Sequence, residues 1–150
     1  MSISTVIAEV FNVLDGVTEL ARVYAVGKTG DDAIPDVIGD QVPAAIVYPG
    51  ESRKYEQGPS GGERHEYTLE IQVFVSGADT QNKLNTALPI FDAIRVAFQA
   101  ATALNDAGSL NQVARLDSWR FGALTYAGET FTGWAITLFI SEDSPANYSR

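Results

Sequence analysis

The chain has no cysteine and a single histidine in 150 residues. Without cysteine there is no disulfide framework, no thiolate metal site and no thiol nucleophile. His65 alone has an ordinary pKa near neutrality for general acid–base work. Basic residues are scarce as well: ten Lys and Arg against nineteen Asp and Glu leave a formal net charge of −9. Counterion-release binding of nucleic acid needs clustered cations, so tight direct binding of DNA or RNA is not expected. No apolar run approaches the roughly 20 residues of a membrane-spanning helix. The opening MSISTVIAEVFNVL has neither a basic n-region nor a small-residue cleavage pattern and does not read as a signal peptide. The expectation is a soluble, intracellular protein, or a subunit assembled there. At 45% hydrophobic content, residues 1–150 read as one globular domain.

What the chain does have is a long glycine-rich connection. PGESRKYEQGPSGGER, residues 49–64, lies between two β-prone runs, PAAIVY (43–48) and HEYTLEIQVFVS (65–76). Hairpin loops usually have about 2–5 residues, and longer ones are commonly functional or disordered. Gly58, Pro59, Gly61 and Gly62 give this one little helical tendency, and Arg53, Lys54 and Arg64 supply three of the ten basic residues. A small acidic domain that keeps a charged arm, 49–65, is expected to touch something with it, through Arg53, Lys54, Tyr55 and Arg64. That points to an interaction protein before an enzyme.

Around the arm the periodicities are clear. Ile3, Val6, Ile7, Val10, Phe11 and Leu14 recur at helical spacing, with Ser2 or Ser4 able to cap and Gly16 beyond the end. ARVYAV (21–26) is a strand candidate. GKTGDDAIPDVIGDQ (27–41), with three glycines, a proline and four aspartates, reads as a loop. In 65–76, Tyr67, Leu69, Ile71, Val73 and Val75 alternate with Glu66, Thr68, Glu70 and Gln72, and Phe74 breaks the polar face. Phe74 is therefore a candidate partner contact. Asp79 is a suitable N-cap for a helix to about Ala103, striped by Leu84, Ala87, Leu88, Phe91, Ile94 and Phe98, with a kink or restart expected at Pro89. Strands follow at 113–121 and 131–141, linked near 125–129, with Trp134, Ile136, Leu138 and Ile140 on one face. Residues 142–150 read as a loose polar tail. The fold class these elements predict is α+β: an antiparallel sheet covered on one face by two helices, with the long hairpin arm.

The search for chemistry returns little. His65 has only Ser52 or Ser60, on the arm, as nucleophile partners, and an arm supplies no held geometry. Asp31, Asp32, Asp36 and Asp40 are the best material for a hard cation, but their spacing does not match a calcium loop and they read as a solvated acidic loop. GKTG (27–30) lacks the P-loop's first glycine, since position 22 is Arg22. GPSGG (58–62) precedes no helix. Trp119, Trp134, Tyr126 and Phe131 read as core or subunit interface before a base-stacking surface. No catalytic, cofactor or metal residue is assigned.

The layout resembles the tail terminator (tail completion) proteins of long-tailed bacteriophages and related contractile particles. The segments that carry the resemblance are PAAIVYPGES (43–52), EYTLEIQVFV (66–75), LNTALPIFDAIRVAF (84–98) and TGWAITLFIS (132–141). The resemblance implies a non-enzymatic virion subunit, assembled in the host cytoplasm as a homo-hexameric ring at the head-proximal end of the tail. Such a ring caps the tail tube protein, stops its polymerisation and offers a docking surface to the neck or head-completion protein. DNA passes through its lumen unbound, which suits a net charge of −9; Asp31, Asp32, Asp36 and Asp40 are the lumen candidates. A head–tail connector or neck adaptor of the same particle is the alternative, and a small ligand-binding module or enzyme the third.

Overall fold

The structure, a computed structural model, describes residues 3–39, 41–57, 62–77, 84–100 and 112–144. Along the chain these form α1 (Ile3–Asp15), β1 (Arg22–Ala25), a short 3-10 turn (Gly30–Asp32), β2 (Ala44–Gln57), β3 (Gly62–Gly77), α2 (Leu84–Ala100), β4 (Gln112–Tyr126) and β5 (Glu129–Ser144). The strands make one sheet in the order β1-β2-β3-β5-β4. The architecture is α+β, with both helices on one face.

The helical stripe explains that placement. Val6, Ile7, Val10, Phe11 and Leu14 of α1 and Ala87, Ile90, Phe91, Ile94 and Phe98 of α2 are buried in one cluster. Every second residue of the central strands meets them: Leu69, Ile71 and Val73 from β3, and Trp134, Ile136, Leu138 and Ile140 from β5. Trp134 also donates from Nε1 to the Ala87 carbonyl at 3.1 Å, fastening α2 to the sheet by a buried hydrogen bond. α2 passes Pro89 as one helix rather than restarting there. Ser2, Asp79 and residues 101–103, and the side chain of Ser4, lie outside the described residues.

The sheet is mixed rather than wholly antiparallel as expected: β1 runs parallel to β2, with Arg22 opposite Ala44 and Ala25 opposite Val47. The chain length between them is the physical reason. A parallel neighbour requires a crossover of about a dozen residues or more, and 26–43 supplies it. At its end the Val42–Pro43 peptide is cis, and the Pro43 carbonyl accepts from the Ala21 and Arg22 N–H groups at 2.7 and 3.3 Å.

That crossover does more than connect. Ile34, Ile38 and Val42 recur every four residues among its aspartates, and Ile38 is buried with Tyr24, Ile46, Phe74, Leu124 and Phe131 on the face opposite the helices. Phe74 is fully buried there, edge-on to Phe131 and Tyr126 at 5.3 and 5.7 Å. Its expected role as a partner contact is thus corrected: the ring that interrupts the polar face of β3 is the centre of a second small core.

One boundary sharpens and one further expectation changes. Within 49–65, read as a long hairpin arm, residues 49–57 and 62–65 are strand: Lys54 pairs with His65 and Gln57 with Gly62, across a register shift between Pro49 and Ser52. Residues 142–144, read as tail, continue β5, pairing Ser144 with Glu63. The β4–β5 link is a two-residue turn, Ala127 and Gly128, both at positive φ, as a tight hairpin requires.

Gly133 lies where β3 and β5 approach beside the irregularity at Phe74 and Ser76. A methyl there would overlap the Val73 carbonyl oxygen. Gly133→Ala is expected to cost about 3 kcal/mol in urea unfolding, because the atom it meets is backbone and cannot rotate away. Trp134→Phe, which keeps an aromatic ring and deletes the bond to Ala87, is expected to cost about 1–2 kcal/mol in the same assay.

Candidate functional site

Among the described residues, two surface clefts and two open sheet edges are places where the protein can engage a partner. The first cleft, about 570 Å³, lies beneath the crossover and is lined by Arg22, Tyr24, Asp31, Asp36 and Gln41 among others. Arg22, on β1, lies over the Tyr24 ring with 5.4 Å to its centroid, and Nη2 donates to the Asp31 carbonyl. From the far side of the sheet the Tyr126 hydroxyl donates to the Pro35 carbonyl. A cation and a phenol thus hold an acidic segment against the sheet through its backbone, leaving its carboxylates outward. Asp31 and Asp36 are exposed and Asp32 half-buried, while Asp40 lies outside the described residues.

The chemistry available in this cleft is limited. Among the described residues no three His, Asp or Glu side chains gather as a metal-holding group. His65 is not a neighbour: Arg22 is level with Ala44 and Phe74, and His65 lies nine residues further along β3, about 30 Å away at strand rise. The acids and the single histidine therefore stand at opposite ends of the sheet. The four aromatics considered for stacking also divide: Trp134 belongs to the helix-side core, Phe131 to the other core, and Tyr126 is half-buried beside Phe74. Trp119 is half exposed on β4, 5.1 Å from Phe91, which stacks on Trp134 at 4.7 Å.

The second cleft, about 580 Å³, runs between the turn after α1 and the flank of α2, where Val17, Ala93 and Val96 meet Glu19 and Asp92. Of the expected interface residues, Arg53 and Lys54 are opposite Glu66 and His65 in the ladder, and Tyr55 is opposite Arg64. Their side chains lie outside the described part of the structure. The strand pairing nevertheless brings all four to one short stretch of hairpin. Beyond Val47 the outer side of β2 has no partner strand among the described residues, and the outer side of β4 has none along its 15 residues.

No protein-family model matches the chain, and no curated protein shows significant similarity to it.

Sequence reading missed Arg22 and Tyr126 as the ties of the crossover, and Tyr48 beside them. The only local signal is alternation: Arg22 and Tyr24 share a face of β1. Nothing in the sequence joins Tyr126 to Pro35, 91 residues earlier. Burial raises the Tyr48 hydroxyl to about 12, with Tyr126 and Glu70 adding to the effect. Burial likewise raises Tyr126, followed by the influence of Asp36 and Tyr24. A raised phenol holds its proton longer in the folded state, so the stability it contributes is complete below its ordinary value near 10 and is lost as the pH rises to about 12. Thermal melts from pH 9 to 12 are expected to show falling stability, and Tyr48→Phe is expected to flatten the decline.

Proposed function

We propose that this chain is a virion structural protein of the tail terminator type, without enzymatic activity. In this proposal it forms a homo-hexameric ring that caps the tail tube, stops its polymerisation and receives the neck. The observation that carries the proposal is that, among the described residues, the sheet has two unlike open edges. At one, β2 is uncovered beyond Val47; at the other lies β4. Unlike surfaces associate head-to-tail, and head-to-tail contacts make a ring where the rotation between copies closes and a filament where it does not. The strand directions agree. β2, β3, β5 and β4 are successively antiparallel, so β4 runs opposite to β2. Copies set side by side without inversion would therefore bring antiparallel edges together.

The resemblance of 43–52, 66–75, 84–98 and 132–141 to tail terminators adds the station in the particle. The ends of β2 and β3 serve as the long hairpin arm, carrying Arg53, Lys54, Tyr55 and Arg64 to a neighbour. The exposed Asp31 and Asp36, with Asp32 and Asp40, face the lumen, where like charge keeps phosphate moving.

Electron microscopy of particles assembled without this protein tests the proposal. Tail tubes of excessive and variable length are expected, corrected by adding the purified chain. Tubes of normal length that fail to join heads would instead identify a neck adaptor. By light scattering, the ring is expected at six times the 16.1 kDa chain mass.

A further inference from the structure

The groove beside α2 makes a specific demand on its occupant. Its floor is apolar, from Val17, Ala93 and a Val96 that is 54% exposed. Among the described residues lining it, the charged side chains are Glu19 and Asp92. The Glu19 carboxylate accepts from the Thr18 hydroxyl at 3.0 Å. Asp92 lies 3.8 Å from Arg95 Nε in an exposed i,i+3 pair, a screened contact of small worth. The fitting partner is an aromatic or aliphatic side chain flanked by cations.

We propose that this groove receives the hairpin arm of a second copy of the chain, an inference that rests on the ring assembly proposed above. The arm carries the complementary set. Ladder pairing puts Arg64 opposite Tyr55, with Lys54 and Arg53 the next two residues along β2, while Glu56 and Glu63 oppose each other one step nearer the tip. By strand alternation Tyr55 shares one face of the hairpin with Arg53 and with Arg64 opposite it, while Lys54 takes the other face. A tyrosine flanked by two arginines matches an apolar floor with an acidic rim, and tyrosine and arginine are the residue types that dominate interface energetics. The arm cannot serve its own groove. Residues 16–19 lead directly into β1, whose Arg22 is level with Ala44, and Lys54 lies ten residues further along β2, about 33 Å away at strand rise. Pairing with β3 holds the arm along that line. The contact is therefore made between copies and runs head-to-tail.

Charge exchange tests it. Glu19→Lys with Asp92→Lys is expected to weaken self-association of the full chain about tenfold, and Arg53→Glu with Arg64→Glu to do the same. An equimolar mixture of the two variants restores assembly, since each variant's groove then faces a complementary arm. Val96→Gln gives the same loss without altering the groove's charge, and circular dichroism melts establish that every variant is folded. Folded variants that associate as tightly as the wild type, or that a mixture fails to rescue, overturn the inference and leave the ring intact. A wild-type chain that stays monomeric at hundreds of micromolar overturns both.

Discussion

The parallel pairing of β1 with β2 is the constraint from which most of the architecture follows. An antiparallel neighbour would have needed only a tight turn; a parallel one forces the chain across the sheet before it can return. Residues 26–43 make that passage on the face the helices leave bare. Because Ile34 and Ile38 lie among the aspartates, the passage becomes a cover rather than an open loop. The sheet thus acquires two cores of unequal size, a large one beneath α1 and α2 and a small one around Phe74. The remaining polar positions of β3, such as exposed Glu70, stay outside both.

Periodicity made the large core legible. Val10 and Leu14 in α1, Ile71 in β3 and Ile136 in β5 were placed correctly because a single repeat, helical or alternating, decides which face each residue takes. The small core was not legible, since its members come from six separate segments and no local pattern links Ile38 to Phe131. Phe74 shows the difficulty best. From sequence it is an apolar ring on a polar face, and exposure to a partner or burial under a distant segment satisfy that pattern equally. For the arm, the glycines and proline at 58–62 marked a connection in the sequence, but not how far strand pairing runs into 49–57. For the candidate site, the residue types were visible in the sequence, but not the separation of His65 from the aspartates nor the anchoring by Arg22 and Tyr126.

The two clefts differ in kind. The cleft beneath the crossover is polar, and its basic group is already engaged with backbone, so little is left to hold a ligand firmly. The groove beside α2 combines exposed aliphatic surface with the like charges of Glu19 and Asp92 at its rim.

One feature of the strand order has a kinetic side. β5 sits between β3 and β4, although it follows both in the sequence. Until β5 forms, β3 lacks one of its two ladders and α2 has no Trp134 to hold it. The nascent sheet is therefore incomplete along its middle rather than at its margin, and its closure waits for the most distant pairings. Such long-range closure slows folding and leaves an apolar strand edge open to mispairing. The tight turn at Ala127–Gly128 shortens that interval, because β4 and β5 can zip together locally and dock on β3 as one ribbon.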